Sequence, residues 1–213
     1  MTPKVVRGQP KVEDLSGRFE GRLVVVEPLA LGHAKGLVDA ASWGELFKWM
    51  PEAMGDSPEL LHAWIERSVR AAKEGREVPF AILDAATGDP VGSTRFLEIR
   101  LEHLRAEIGW TWMARRVWGQ GHNVETKLLL LGHAFERVGC RRVEFKTDAR
   151  NERSRGALLA LGAKFEGILR KHMVVRDGGP RDSAYYSVID DEWPALKRSI
   201  QARLAGYAGT RRG

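Results

Sequence analysis

The stretch that decides the fold is Arg115-Arg116-Val117-Trp118-Gly119-Gln120-Gly121-His122-Asn123, and an apolar segment from Val124 to about Val138 follows it. The preceding segment, Ala106 to Met113, has the composition of a β-strand. A basic, glycine-punctuated turn therefore joins a strand to a helix. The first backbone N–H groups of a helix lack partners within it, and the positive end of the helix dipole lies beside them. The stretch predicts an anion site, as for a phosphate-bearing ligand.

Two familiar phosphate loops do not match this turn. A dinucleotide fingerprint needs G-x-G-x-x-G near the first strand of a domain, but Val124 stands at the third glycine position and the turn lies in mid-chain. A Walker-type loop needs Gly-Lys-Ser/Thr, which the turn lacks. The pattern that does match is Arg-x-x-Gly-x-Gly, met by Arg116, Gly119 and Gly121.

These residues resemble the acetyl-CoA pyrophosphate loop of the GNAT superfamily of N-acetyltransferases. The form of the stretch 117–125 is similar to the branch that acetylates ribosomal-protein N-termini, the RimJ and RimL type. Asn151-Glu152-Arg153-Ser154, followed by Leu161-Gly162-Ala163, resembles the Asn-x-x-Ser helix and the later turn of that branch. Residues 21–29 are similar to its first strand. The resemblance covers residues 18–191, and the order and spacing of the motifs make it specific.

The resemblance implies an α+β (mixed α/β) fold, the GNAT fold, in a single domain. Its centre is expected to be a mixed, mostly antiparallel twisted sheet of about seven strands flanked by helices. We expect an N-terminal arm at 1–16, the acetyltransferase domain at 17–192, and a C-terminal helix with a frayed tail at 193–213. Local patterns predict helices at 31–41, 57–74, 124–138, 151–161 and 193–204, and strands at 23–26, 78–83, 91–100, 106–113, 142–147, 165–175 and 183–189.

By the same resemblance, acetyl-CoA is the co-substrate. The residues expected to bind it are Met113, Ala114, Arg115, Arg116, Trp118, Gly119, Gln120, Gly121, His122, Asn123, Asn151 and Arg155. Residues 113–115 are where superfamily analogy places a splayed strand whose N–H groups meet the acetyl carbonyl. Guanidinium groups suit phosphates, although a solvated basic face is the alternative for many of these arginines. His122 is a phosphate donor or simply exposed, and Asn123 stands where many relatives have glycine or alanine.

Acetyl transfer from a thioester to an amine needs a neutral amine, a polarised carbonyl and a proton for the departing thiolate. Many superfamily members place a tyrosine acid where this chain has Leu158, so Ser154, the candidate of the resembling branch, is the predicted acid. The alternative is that Asn151 caps the helix and Ser154 is only a small residue in its first turn. Glu107 is the predicted base, on the strand face opposite Ile108, Trp110 and Trp112, and a solvated carboxylate paired with an arginine is its alternative.

Direct transfer without a covalent enzyme intermediate is the expected mechanism, because the lone cysteine, Cys140, opens a predicted strand and suits a buried, inert thiol. The acceptor is expected to be a protein N-terminal α-amine or a small-molecule amine. Trp43, Trp49 and Phe80 are the predicted acceptor-binding residues, and a second hydrophobic cluster is the alternative for these aromatic side chains.

Composition limits the remaining function classes. The chain has 34 Lys and Arg residues against 28 Asp and Glu, a net charge of +6, and one cysteine, which suits a reducing cytoplasm. No apolar run is long enough to cross a membrane, and no histidine or cysteine spacing suits a metal. A CoA-binding sensor with a degenerate site is the first alternative to an enzyme. A nucleic-acid binder is the second, without a supporting motif; a homodimer is compatible with the sequence, which does not fix the oligomeric state.

Overall fold

The computed structural model describes residues 9–41 and 45–207 of the chain. Its centre is one open sheet of 8 strands in the order β1-β2-β3-β4-β5-β6-β8-β7. The strands are β1 (Phe19–Glu20), β2 (Val24–Pro28), β3 (Val78–Asp84), β4 (Pro90–Arg100), β5 (Arg105–Met113), β6 (Arg142–Asp148), β7 (Lys164–Val174) and β8 (Pro180–Ile189). Neighbouring strands run antiparallel except β5 and β6. The predicted fold class is confirmed, and the strand beyond the expected seven is the two-residue β1.

Five α-helices flank this sheet, within the described residues: α1 (Ala34–Ala40), α2 (Pro58–Lys73), α3 (His122–Gly132), α4 (Glu152–Leu161) and α5 (Trp193–Tyr207). Ser57 caps α2 by accepting a hydrogen bond from the backbone of Leu60, as its sequence predicts. The long apolar helix starts two residues before Val124, and its last part, His133–Val138, winds as a π-helix. Leu15 is buried in the core, so residues 12–15 pack against the rest of the domain.

A β-bulge changes the direction of side chains in the middle of β5. Ser93 of β4 pairs with Trp112 and Arg95 pairs with Gly109, so Thr94 alone faces Trp110 and Thr111. Trp110 has a φ of 50°, a left-handed conformation that is costly for a bulky residue. The extra residue shifts the alternation by one position.

The alternation predicted for β5 is therefore wrong beyond Gly109. Ile108 packs in the main core together with Met113, whereas Trp110 and Trp112 pack in a second cluster against α1 and α2. The sequence pattern placed Ile108 on the same face as the two tryptophans. A bulge adds a residue without changing the composition of the strand, so the period-2 pattern does not reveal it.

β5 and β6 separate soon after they begin. Their parallel pairing covers only Arg105, Ala106 and Glu107, opposite residues 142–144. Beyond these pairs the two strands diverge, while β6 stays paired to β8 up to Asp148. The divergence opens a gap in the centre of the sheet, immediately before the loop that precedes α3. The backbone polar groups along this gap have lost their sheet partner and need another one.

Candidate functional site

The gap between β5 and β6 continues into a cleft of about 580 Å³. Its walls come from both diverging strands, from the loop before α3, from the first turns of α3 and α4, and from the end of α5. The predicted site residues that line it are Glu107, Met113, Trp118, Gly119, Gly121, Asn123, Asn151, Ser154 and Trp49. The fold thus brings two motifs that are well separated in the sequence to one cavity.

The glycine turn forms the N-terminus of α3 as its sequence predicts. Gly121 is the residue before the first helical turn, with a φ of 88°, and its carbonyl accepts the first helical hydrogen bond, from Glu125. A Cβ at Gly121 would lie 2.9 Å from the Leu23 side chain and 3.0 Å from that of Tyr207. Only glycine satisfies both the conformation and the space. The backbone N–H groups of the first helical turn have no acceptor within the helix.

Glu125 fixes this helix start to the sheet. Its buried carboxylate accepts hydrogen bonds from the backbone N–H groups of Arg22 at 3.1 Å, Leu23 at 2.6 Å and Val24 at 2.9 Å. Three N–H donors on one carboxylate satisfy the start of β2 and hold α3 against it. The N-terminus of α3 is therefore held rigidly beside the gap.

His122 does not match the prediction of an exposed or phosphate-facing side chain. It is 0% exposed, and its Nε2 lies 3.2 Å from the Asp84 carboxylate at the end of β3. Its Nδ1 is buried without a hydrogen-bond partner among the described residues. The side chain therefore belongs to the packing between α3 and the sheet, and only its backbone N–H remains for an anion.

The arginines near the loop divide into those bound within the protein and one that lies in the cleft. Arg155 donates to the Tyr186 hydroxyl and to the Ala149 carbonyl, which ties α4 to the sheet. Arg116 donates to the Pro90 carbonyl, and Arg115 forms an exposed ion pair with Glu45. The predicted phosphate role of Arg155 therefore conflicts with its internal hydrogen bonds. Gln120 likewise donates to a loop carbonyl, that of Arg116.

Arg153 is the arginine that lines the cleft at the loop. Its guanidinium carbon lies 3.9 Å from the centre of the Trp118 ring, and the indole N–H of Trp118 donates to the Met113 carbonyl at 2.7 Å. The stack joins the first turn of α4 to the loop before α3. Partial burial and the nearby Arg115 lower the pKa of Arg153 from its usual value. Its position beside Trp118 suits contact with a polyanion bound at the loop.

Asn151 and Ser154 combine both interpretations drawn from the sequence. The Asn151 side-chain oxygen accepts a hydrogen bond from the backbone N–H of Ser154 at 3.1 Å, so Asn151 caps α4. Both residues also line the cleft. The cap places the Ser154 side chain on the first turn of α4, next to the divergent strands.

Glu107 lies at the point where β5 and β6 part. It is 1% exposed, and its Oε2 lies 3.1 Å from Nζ of Lys146 on β6. Burial raises the pKa of Glu107 to about 7, a shift that the Lys146 charge opposes. The structural alternative for Glu107 was a carboxylate paired with an arginine, and its partner is this lysine. A carboxyl group with a pKa near 7 in a cleft has the properties of a general base.

One backbone N–H group of the segment 113–115, where superfamily analogy places the polarisation of the acyl oxygen, already has an acceptor within the sheet. The N–H of Ala114 donates to the Val91 carbonyl at 2.7 Å, so that part of the 113–115 segment is occupied. The irregular backbone lies earlier, at the Trp110–Thr111 bulge, which faces the gap. The bulge thus precedes the end of the strand and lies about three residues before the segment predicted to polarise the acyl oxygen.

Lys127 is a cleft residue that sequence reasoning missed. It is 5% exposed and donates to the Thr111 hydroxyl at 2.8 Å, with its Nζ 5.7 Å from the Phe145 ring centre. No carboxylate of residues 9–41 or 45–207 forms an ion pair with it, and burial lowers its pKa to about 7. Lys127 is the third residue after Val124 in the predicted apolar helix. That spacing could have indicated that the lysine lies on the buried face of the helix.

The aromatic residues predicted at the acceptor side have different roles. Trp49 lines the cleft and stacks with Arg150, whose guanidinium carbon lies 5.3 Å from its ring centre. Phe80 is fully buried in the main core between Phe19 and Phe96, so it is not an acceptor contact. Its burial follows from the central position of β3 in the sheet. Trp43 lies outside the described residues.

The described part of the chain holds neither a metal cluster nor a membrane-spanning helix. No three His, Cys, Asp or Glu side chains there come together in an arrangement that could hold a metal ion. No described helix has the length and apolar character needed to cross a membrane. Cys140 is buried, and burial raises the pKa of its thiol to about 11, which disfavours the thiolate.

Comparison with known proteins adds independent observations. The family model described as an acetyltransferase (GNAT) domain matches residues 22–164. A GCN5-related N-acetyltransferase from Brucella melitensis has a similar crystal structure, with a TM-score of 0.83 and 33% identity over 93% of this chain and 88% of that one. A T. thermophilus protein named as an acetyltransferase is 40% identical, with a TM-score of 0.79 over 88% of this chain and 96% of that one. The uncharacterized N-acetyltransferase YoaA of Bacillus subtilis (strain 168) is 28% identical over 63% of this chain and 75% of its own length.

Proposed function

The chain belongs to the GNAT family of acetyltransferases, and we propose that it transfers an acetyl group from acetyl-CoA directly to a primary amine in the β5/β6 cleft. The family as a whole uses acetyl-CoA and amine acceptors. The finer statements are proposals: the acceptor is a protein N-terminal α-amine or a small-molecule amine, no covalent enzyme intermediate forms, and the chain lies in the RimJ/RimL-like branch. The cytoplasm as its location and the domain limits 1–16, 17–192 and 193–213 also remain proposals.

The observation that carries this proposal is the divergence of β5 and β6 directly beside the N-terminus of α3. A helix N-terminus with free N–H groups suits the pyrophosphate of CoA. The gap leaves strand backbone without a sheet partner, which suits the amide-rich arm that joins the pyrophosphate to the thioester. One ligand with both features would span the loop and the gap. The residues present therefore fit acetyl-CoA.

The donor side is proposed to combine backbone and side-chain contacts. Residues 119–123 present backbone N–H groups, and Arg153 adds a positive charge from α4. Asn151 holds the first turn of α4 against the cleft. The acetyl thioester supplies the activated acyl group. Trp110 and Thr111 are the bulge residues whose backbone lies next to the gap, so their N–H groups are the candidates for polarising the acyl oxygen.

Glu107 is proposed as the base that removes the amine proton, directly or through a water molecule. An α-amine has a pKa of about 8 and a lysine amine one of about 10.4, so a larger fraction of an α-amine is already neutral near pH 7. A carboxylate with a pKa of about 7 accepts a proton from such an amine readily near neutral pH. Lys146 keeps part of the Glu107 population ionised by its charge. The two residues thus set the pH at which the base is active.

Ser154 is proposed to donate a hydrogen bond to the departing thiolate, because Leu158 takes the place of the tyrosine acid of other members. The hydroxyl is a weak acid, so its role is stabilisation by a positioned donor more than full proton transfer. Ser154 lies on the cleft wall, next to the gap. Its cap from Asn151 fixes its backbone.

The test of the proposed function is release of free CoA thiol from acetyl-CoA in the presence of amines, with the acetylated product identified by mass. The panel contains peptides with free α-amines, the same peptides with blocked α-amines, lysine derivatives and small amines such as polyamines and aminoglycosides. Acetyl transfer to at least one primary amine is expected, and no transfer to the blocked peptides that lack lysine. Binding of CoA without transfer to any acceptor would instead support the sensor alternative.

A further inference from the structure

Arg181 on β8 is a buried cation on the same sheet face as the proposed base. Lys146 pairs in register with Tyr185 of β8, and side chains of paired residues point to the same face. By alternation along β8, Arg181 and Ser183 share that face with Tyr185. Glu107 meets Lys146 there. Arg181 therefore lies on the Glu107 side of the sheet, opposite α3, and it lines the cleft.

The Arg181 guanidinium lacks a partner of its own. The residue is 5% exposed, and its Nε is buried without a hydrogen bond. Across residues 9–41 and 45–207, no carboxylate lies within ion-pair distance of it and no side chain accepts a hydrogen bond from it. An arginine stays protonated in proteins, so this is a buried positive charge.

The two carboxylates whose charges act on Arg181, Asp148 and Glu107, are already engaged with other cations. Asp148 receives two hydrogen bonds from the Arg150 guanidinium, at 3.0 and 2.9 Å. Glu107 is paired with Lys146. Both carboxylates act on Arg181 only from a longer distance, and burial lowers the pKa of Arg181 from its usual value in spite of them. Each of these two carboxylates is therefore paired with another cation, and Arg181 is the cation of this cluster that has no paired carboxylate.

An unpaired buried charge is costly to fold, and such groups are generally paired or meet a ligand. The Arg181 side chain is aimed into a cleft that is open to a ligand and lies next to the proposed base. We propose that Arg181 binds a carboxylate of the acceptor, so that the acceptor is a primary amine that carries an acidic group. A guanidinium recognises a carboxylate by two parallel hydrogen bonds, which fixes its orientation as well as its position.

This inference rests on the proposed function and narrows its substrate class. With the acceptor carboxylate at Arg181 and its amine at Glu107, the amine is oriented towards the gap between β5 and β6. Acidic peptides and amino-acid-like amines meet this requirement. Polyamines and aminoglycosides, which carry no carboxylate, do not.

The experiment uses acceptors in matched pairs that differ only by a carboxylate or a carboxamide. The pairs are a short peptide with Glu or Gln at its second residue, the same with Asp or Asn, and one peptide with a free or an amidated C-terminus. The α-amine is similar within each pair. Steady-state kcat and KM are measured with saturating acetyl-CoA for the full chain and its variants.

The variants are Arg181→Gln, which removes the charge, and Arg181→Lys, which keeps the charge but cannot form the two parallel hydrogen bonds of a guanidinium. Arg70→Gln on the exposed face of α2 is the matched control. In at least one pair, the wild type is expected to show a kcat/KM about ten-fold or more higher for the carboxylate acceptor than for its carboxamide counterpart, mainly through a lower KM. A preference of this size is typical of a hydrogen bond to a charged group. Arg181→Gln is expected to abolish that preference by raising the KM of the carboxylate acceptor alone. The preference of Arg181→Lys should lie between those of the wild type and Arg181→Gln, and that of Arg70→Gln should equal the wild-type preference.

A second measurement protects the result against a folding defect. The thermal shift caused by CoA is compared for wild type and Arg181→Gln, and it is expected to be equal because Arg181 lies on the acceptor side. Equal use of acid and amide acceptors by the wild type, or a loss in Arg181→Gln that affects both members of a pair equally, would overturn the inference and leave the acetyltransferase proposal intact. Absence of transfer to every amine would remove both.

Discussion

Lys146 Nζ lies 3.1 Å from Glu107 Oε2, across the gap that opens where β5 and β6 stop pairing. The two residues hold opposite charges at the inner end of the cleft, one on each diverging strand. Burial raises the pKa of Glu107, and Lys146 limits the rise, which leaves the pKa at about 7. The pair therefore links the geometry of the sheet to the pH dependence of the proposed reaction.

Glu107→Gln is expected to lower kcat/KM by about 10²- to 10⁴-fold, the usual contribution of a positioned base. In the wild type, kcat/KM should fall as the pH drops below about 7, because protonated Glu107 cannot accept the amine proton. The measurement is a pH–rate profile with one acceptor, and Glu102→Gln, an exposed acid after β4, is the control. A wild-type profile without a break near pH 7, or an active Glu107→Gln, would remove Glu107 from the mechanism.

Lys127→Met is expected to change the pH dependence of stability. The pKa of Lys127 is lowered to about 7 in the folded chain and is about 10.4 when unfolded, so between these values the unfolded chain binds more protons. The unfolding free energy contributed by this group therefore rises with pH from about 7 to 10, and the penalty is greatest below pH 7.

Removal of the amine should flatten that slope and raise the melting temperature at pH 7, by about 2–4 °C for each kcal/mol of unfolding free energy regained in a chain of this size. Lys73→Met, on the exposed end of α2, is the matched control and should keep the wild-type slope. Denaturant unfolding at pH 6, 8 and 10 measures both. An unchanged slope in Lys127→Met would show that this lysine is not buried as a neutral amine.

Gly121→Ala is expected to weaken CoA binding by about ten-fold or more and to cost about 1–3 kcal/mol of stability. The residue has a φ of 88°, and the new methyl group would meet Leu23 at 2.9 Å and Tyr207 at 3.0 Å. Gly119→Ala is the comparison, because its φ of 72° is also positive but its Cβ would have no neighbour within 4 Å. Calorimetric titration with CoA separates the two, and an equal effect of both variants would argue against the close packing at Gly121.

Glu125→Gln is expected to destabilise the fold by about 2–4 kcal/mol, because the amide nitrogen of glutamine cannot accept a hydrogen bond. At least one backbone N–H of residues 22–24 then loses its buried acceptor. Glu152→Gln on the exposed face of α4 is the control and should have little effect. Chemical denaturation measures the difference in unfolding free energy between each variant and the wild type, provided that the slope of unfolding free energy against denaturant is the same. A loss below about 0.5 kcal/mol, the range of ordinary surface substitutions, would show that Glu125 does not hold α3 on β2.

The parts of the fold that the sequence predicts are those governed by local patterns. The glycine turn before α3, the capping residues Ser57 and Asn151, and the alternating strand at 142–147 depend on neighbours within a few positions. Each has a distinct composition, and the structure agrees with the predicted elements to within a few residues.

The remaining features depend on contacts between distant segments. His122 is buried where α3 packs on the sheet, beside Asp84, which is 38 positions away in the chain. The bulge at Trp110 and Thr111 redirects two tryptophans without a compositional sign. Lys127 and Arg181 enter the cleft only because strands β5, β6 and β8 are placed around it. The sequence shows which residues are basic, but only the fold shows which of these side chains have no paired carboxylate.

The thermal unfolding temperature with and without CoA tests the central claim most directly. A ligand at about 100 times its dissociation constant stabilises the folded state by about 2.7 kcal/mol, so a rise of several degrees is expected for the wild type. The rise should shrink in Gly121→Ala at the same CoA concentration, and 3′-dephospho-CoA, which keeps the pyrophosphate, should still cause a shift. An unchanged melting temperature at saturating CoA would contradict the assignment of the loop before α3 and the β5/β6 gap as the acetyl-CoA site.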